Sequence, residues 1–293
     1  MKMKKIFLVL ASVALIISCE KDDDGGSLSF EHTILPSNIN DLFEGKGDAN
    51  SDTVWVYSQG GPVTEREYGF EDQYDDGSDA YPFITDDYRV YTFQTQHLNS
   101  NIALDETFTF EHAKVEAAMN SEIVKRVVEY FTQQNKVVYL VGHSYGSLVV
   151  NDVLARYGSI ARKTISLNGR LDMDQVVWEA FSKGEMWTFD GNGENPSYNS
   201  AQDDLSVSAI NMKRLAAGLG YNRYTTLLSN VDLSDAIFLT STKDEQVGDF
   251  TQEAIDLLND KAEALLSIDG GHGDVYHPVT LKQIHDTYII TDN

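Results

Sequence analysis

The 293-residue chain has a single cysteine, Cys19. No disulfide can form within it, and no thiolate cluster can hold a metal. Basic residues are also scarce: 22 Lys and Arg stand against 46 Asp and Glu, for a formal charge of −24. So acidic a surface repels phosphate backbones and anionic headgroups, which argues against a nucleic-acid partner and against charge-driven membrane binding. Long apolar runs are missing too. The longest, Ile6 to Ile17 (IFLVLASVALII), is too short to span a bilayer comfortably. Internal repeats are absent, which excludes a solenoid or propeller. What the chain does have is 42% hydrophobic and 11% aromatic residues, enough for one large core.

The first residues read MKMKK, then the apolar run, then Ile16-Ile17-Ser18-Cys19. A basic start, a short apolar region and a small residue directly before cysteine resemble a bacterial lipoprotein signal. The resemblance implies cleavage before Cys19, acylation of its thiol and new amine, and a membrane anchor made of several acyl chains. A plain signal peptide with an incidental cysteine is the alternative. Residues 1–18 are then the signal, and 19–29, beginning CEKDDDGGS, an acidic Gly-rich tether that cannot pack. The acidic run also resembles the signal by which some Gram-negative bacteria place lipoproteins on the cell surface. The expected location is the outer membrane, at the cell surface or otherwise on the periplasmic face.

From residue 30 to 293 a single domain is expected. Short Val/Ile/Leu-rich runs predict strands at Thr53–Tyr57, Tyr88–Phe93, Lys136–Val141, Lys163–Leu167, Ala236–Thr240 and Ala264–Ile268. Helical patterns fall between them, at 111–131, 147–157, 250–262 and 278–290. In the first, Val115, Met119, Ile123, Val127 and Phe131 recur four apart and predict one apolar stripe. Strand–helix–strand repetition predicts the α/β class: a mostly parallel sheet with helices on both faces. The interval 172–235 breaks the rhythm. Its helix patterns and its Trp178, Phe181, Trp187, Phe189 and Tyr198 predict a helical cap insertion.

Residues 137–150 read VVYLVGHSYGSLVV. An apolar strand ends in Gly142-His143-Ser144-Tyr145-Gly146, and a helical pattern follows. A turn this tight strains the serine backbone, and glycine two positions to either side removes the crowding. The hydroxyl then stands at a helix N-terminus, where free N–H groups favour developing negative charge.

Three further loops follow strand candidates: Ser241-Thr242-Lys243-Asp244, Gly270-Gly271-His272-Gly273 and Ser58-Gln59-Gly60-Gly61-Pro62. Together with the Gly-His-Ser-Tyr-Gly turn they resemble the α/β-hydrolase superfamily over residues 30–290, with its order of serine, acid, histidine. The resemblance implies Ser144 as nucleophile, His272 as base and Asp244 as the acid, with Asp172 at the alternative acid position. His277 and His285 are less well placed, and His143 is assigned to packing or hydrogen bonding. The backbone N–H groups of Tyr145 and Gly61 are the implied oxyanion donors. The last loop resembles the His-Gly-Gly-Pro loop of hydrolases that include proline iminopeptidases, but has Gln59 for the histidine and Val63 for a further glycine.

Asp190-Gly191-Asn192-Gly193-Glu194 spaces oxygens somewhat as a calcium loop does, but Asn195 stands where the turn glycine belongs. Asp72, Asp75, Asp76 and Asp79 have no such spacing. Both read as solvated surface, and no metal or cofactor is called for. The expected function is a serine hydrolase that cleaves a carboxylic ester, small or on a polysaccharide, through an acyl-enzyme. A peptidase or amidase of the same fold and a non-catalytic binding lipoprotein are the alternatives.

Overall fold

The computed structural model describes residues 29–69 and 86–290. Cys19, the signal segment, most of the tether and the Asp72–Asp79 cluster lie outside the described residues.

Seven strands form one sheet: β1 (Phe43–Lys46), β2 (Thr53–Ser58), β3 (Tyr88–Thr92), β4 (Val137–His143), β5 (Lys163–Leu167), β8 (Ala236–Ser241) and β9 (Ala264–Ile268). Their spatial order is β1-β3-β2-β4-β5-β8-β9. All neighbours are parallel except β1, which pairs antiparallel with β3 at one edge. The six expected strands are present; β1, short and charged, carries no run that announces it.

The helices α1 (Thr95–Leu98), α2 (Asn101–Leu104), α3 (Phe110–Thr132), α4 (Tyr145–Tyr157) and α8 (Gln252–Lys261) connect these strands, and α9 (Pro278–Ile284) follows the last of them. Alternation along the strands sends successive side chains to opposite faces. Val54, Val56, Val138, Leu140 and Phe238 pack with α3 and α4. Trp55, Tyr57, Tyr139, Val141, Ile165 and Leu167 pack on the other face with Ile284 and Ile289. Each large side chain so buried contributes roughly 1.5–3 kcal/mol.

The stripe expected on α3 is rotated. Ile123, Val127 and Phe131 are buried, but Val115 is exposed and Met119 half-buried, while Ala113, Glu116, Ala117 and Asn120 face inward. Four-residue steps advance about 40° each, so the series turns by about 160° from Val115 to Phe131 and cannot stay on one face. Glu116 is buried because its carboxylate accepts from the Thr33 N–H and hydroxyl and from His32 Nδ1.

Between β5 and β8 lie α5 (Gln175–Lys183), a hairpin of β6 (Trp187–Thr188) and β7 (Ser197–Tyr198), α6 (Val207–Gly220) and α7 (Tyr224–Leu227). α5, the hairpin's flanking Met186 and Phe189, and Met212, Lys213 and Ala216 of α6 line the cleft above the strand ends. Leu215 and Leu219 of α6 and Tyr224 of α7 belong to the main core beside α3 and α4. Gly218 permits that approach: a Cβ there would lie 2.5 Å from the Ala113 carbonyl oxygen of α3. The second half of the expected insertion therefore serves as the crossover between β5 and β8.

Candidate active site

The parallel strands end at one edge of the sheet, and Ser144 stands there between β4 and α4. Its backbone has φ 53° and ψ −118°, a region L residues rarely adopt. Its N–H donates to the Leu167 carbonyl at 2.9 Å, tying the turn to β5. The two flanking glycines have steric causes. A Cβ on Gly142 would lie 2.3 Å from the Gly146 carbonyl oxygen, and one on Gly146 would lie 2.0 Å from that of Ser58. Ser147 closes the turn: its hydroxyl lies 2.7 Å from the Gly142 carbonyl oxygen and 2.8 Å from that of Leu167, and accepts from the Leu167 N–H at 3.0 Å.

The loops after β8 and β9 bring Asp244 and His272 together. His272 Nδ1 lies 2.7 Å and 2.9 Å from the two carboxylate oxygens of Asp244. That carboxylate is fully buried and accepts two backbone N–H groups, from Gln246 and Val247, both at 2.9 Å. The His272 loop is fixed as well. Asn168, whose φ of 47° suits asparagine at the end of β5, donates from Nδ2 to the His272 carbonyl at 2.5 Å and binds Ser241 on β8. Asn168-Gly169 is a turn dipeptide, a local signal that marks a turn but not the partners of Asn168.

The other candidates are occupied elsewhere. Asp172 accepts from the Thr225 N–H and hydroxyl and pairs with Arg223 at 3.0 Å. His277 caps α9 through the Val279 N–H, and His285 pairs with Asp286. His143 is buried with its ring centroid 5.0 Å from that of His272. Burial first, and then the charge His272 can carry, hold its imidazole well below the ordinary value. It is thus a neutral neighbour of His272. Asp190 spends its carboxylate on the N–H groups of Asn192 and Glu194 and on the Asn195 amide. Among the described residues no group of three or more His, Cys, Asp or Glu side chains is placed to hold a metal ion.

Gly61 lines the cleft beside Ser144 at φ 102°, where a Cβ would come within 2.5 Å of the Val63 nitrogen. Tyr145 is the first residue of α4, so its N–H has no carbonyl partner one turn back within the helix. Its buried hydroxyl accepts from Asn120 Nδ2 of α3 at 2.9 Å, and burial raises the phenol. The Gly61 loop is held by glutamines. Gln59 donates to the Glu65 carbonyl and accepts from the Glu67 N–H. Gln94 donates to the Gln59 carbonyl at 2.9 Å, and Gln96 to the Val63 carbonyl at 3.0 Å. The sequence reading missed this brace: a glutamine beside a short helix carries no motif.

Above Ser144 the cleft has two lobes that share Gly61, Ser144, Phe181, Ala216, Gln246 and Val247. The inner lobe, about 60 Å³, adds Tyr145, Leu148, Arg170, Met173, Val177 and Phe189. The outer lobe, about 230 Å³, adds Pro62, Met186, Met212 and Lys213. Of the aromatics expected in the insertion, Phe181 and Phe189 reach the cleft. Trp178 packs instead on Phe110 and Tyr221. Lys213 secures the overhang by donating to Asp203 and to the carbonyls of Gly184 and Asp204.

No protein-family model matches the chain, and no curated protein resembles it in sequence. Solved structures match it in shape. A lipase-esterase related protein from Clostridium acetobutylicum aligns with a TM-score of 0.54 at 14% identity, over 84% of this chain and 98% of that one. The α/β hydrolase MGS-MChE2, from the metagenome of Mar Chica lagoon sediments, gives 0.52 at 15% identity over 86% and 95%. A thioesterase domain from the curacin biosynthetic pathway gives 0.50 at 12% identity over 84% and 94%. Identities this low bear on architecture and leave substrate open. Sheet order, helices on both faces and these likenesses together establish that the chain has the α/β-hydrolase fold.

Proposed function

We propose that the protein is a serine hydrolase that cleaves a carboxylic ester through an acyl-enzyme. The observation that carries this reading is the buried Asp244–His272 pair, held at the same sheet edge as a serine with positive φ. A serine hydroxyl attacks a carbonyl only if a base removes its proton as the bond forms. Asp244 engages Nδ1 of His272, fixing the tautomer and leaving Nε2 as the nitrogen that takes the Ser144 proton. Attack makes a tetrahedral intermediate whose oxyanion meets the N–H groups of Tyr145 and Gly61 at the α4 N-terminus. The imidazolium returns its proton to the departing alcohol oxygen as the C–O bond breaks. Water, deprotonated by the same nitrogen, then attacks the acyl-serine, and the carboxylic acid leaves as Ser144 regains its proton.

The test is covalent. The folded domain should react with a fluorophosphonate probe, and Ser144→Ala should not. A parent protein that stays folded and does not label would overturn the reading in favour of a binding protein. Parallel assays on nitrophenyl esters and aminoacyl anilides separate ester from amide cleavage, with ester turnover expected to dominate.

We also propose that Cys19 carries the lipid anchor and that the tether after it holds the domain at the outer membrane. The support is the sequence pattern alone. Cells fed an alkynyl fatty acid should label the protein, and Cys19→Ala should abolish the label and release the domain from membranes.

A further inference from the structure

Arg170 follows β5 by three residues and is the one charged side chain on the inner lobe among the described residues. The rest of that wall is mainly Leu148, Met173, Val177, Phe181 and Phe189. The guanidinium runs through a slot. Its Cζ lies 5.2 Å from the Phe189 ring centroid, and a Cβ on Gly248 would come within 2.8 Å of Nη1.

Its Nε is buried with no hydrogen-bond partner among the described residues. Asp174, Asp172 and Asp249 act on it electrostatically, yet none forms an ion pair with it. Asp172 is spent on Thr225 and Arg223, and Asp174 caps α5 through the Val176 N–H. A partly buried cation whose donors are left over is costly for folding alone. An arginine that served only packing would be expected to use its donors on the nearby acids. A planar fork fixed in an apolar pocket beside a nucleophile suits a carboxylate.

We propose that the inner lobe receives a substrate arm ending in a carboxylate, bound by Arg170, so that the substrate is a short carboxylate-bearing ester. This rests on the reading of Ser144 as nucleophile. The inner lobe is the smaller of the two, which suits a short arm.

The experiment uses the full-length chain in two arms. In the first, binding of succinate and glutarate, with the monoanion butyrate as reference, is measured by calorimetry on the Ser144→Ala variant, with and without Arg170→Met or Arg170→Lys. The dicarboxylates should bind about tenfold or more tightly than butyrate; Arg170→Met should erase the difference and Arg170→Lys should keep part of it. In the second, nitrophenyl hydrogen succinate is compared with its neutral methyl ester, and acetylglycolate with its methyl ester, so that the charge is carried on the acyl or the alcohol arm. At least one charged substrate should be preferred in kcat/KM about tenfold, and Arg170→Met should bring that ratio near one. Dicarboxylate binding without any ester turnover would sink the hydrolase reading and leave the Arg170 site standing. Ester turnover with no preference for charge, and none altered in either Arg170 variant, would overturn the Arg170 proposal alone. Both variants are first checked to be folded, with an unfolding midpoint no lower than the parent's.

Discussion

The turn that carries Ser144 and the loop that carries Gly61 both line the cleft, but they are fixed by different means. At the turn the determinants are steric and backbone: a Cβ on Gly142 would meet Gly146, one on Gly146 would meet Ser58 of β2, Ser144 has a positive φ, and Ser147 bonds back to Gly142 and to Leu167 of β5. The Gly61 loop has its glycine, but its shape is set from afar, by Gln94 and Gln96 more than thirty residues on. One half of the site is built by close backbone approach where strand ends meet, and the other by amide side chains borrowed from elsewhere. A site assembled this way should respond to mutation in two distinct ways.

The largest effect tests the proposed chemistry itself. Ser144→Ala should lower kcat by about 10⁴-fold or more, and Asp244→Asn by a comparable factor, without loss of fold. Steady-state kinetics beside circular dichroism checks both. Next comes the turn. Gly146→Ala drives a methyl into the Ser58 carbonyl, and should cost more than about 3 kcal/mol in denaturant unfolding, or prevent folding. If Gly146→Ala folds normally, the steric account of the turn is wrong.

The loop should behave otherwise. Gln94→Met removes the donor to the buried Gln59 carbonyl and should cost about 1–3 kcal/mol. It should also lower kcat about tenfold with little change in KM, because a displaced Gly61 N–H weakens only the oxyanion. An unchanged kcat would show that the loop holds itself, and the contrast with the turn would disappear.

The smallest effect is in pH dependence. His143 and His97 have imidazoles held below their ordinary value, chiefly by burial. As pH falls the unfolded chain therefore takes up protons first. Their contribution to stability is complete above about pH 6.5 and is lost on acidification toward the folded-state values. Between pH 6.5 and 5.5, His143→Asn should reduce the pH-dependent loss by about 1 kcal/mol relative to the parent, read from unfolding midpoints.

The same contrast explains what could be read in advance. Most of the parallel strands are written in Val/Ile/Leu-rich runs, and the tight turn in glycines flanking one serine, so the sheet and the strand-to-helix turn at Ser144 were legible. Asp244 and His272 were legible because each follows a strand on that edge, although only three dimensions show Asp172 bound to Thr225 and Arg223. Gln94, Asn168 and Arg170 were not legible. Their significance lies in what they touch, and polar residues outside any repeat or motif do not reveal their partners. The α3 stripe failed for a geometric reason: a spacing of four drifts around a helix that turns every 3.6 residues.

The division of the β5–β8 segment also sets the terms on which the cleft could be re-engineered. Transplanting the whole of 172–235 from a relative would carry Leu215, Leu219 and Tyr224 with it, and so replace part of the main core. The exchangeable unit is smaller: α5 and the approach to the hairpin, where the Met186 N–H donates to Asp203, the partner of Lys213 on α6. Recombination that keeps Asp203 and Lys213 and swaps what lies between Asp174 and Thr188 would vary Val177, Phe181 and Met186, which line the lobes, while the sheet beneath stays intact.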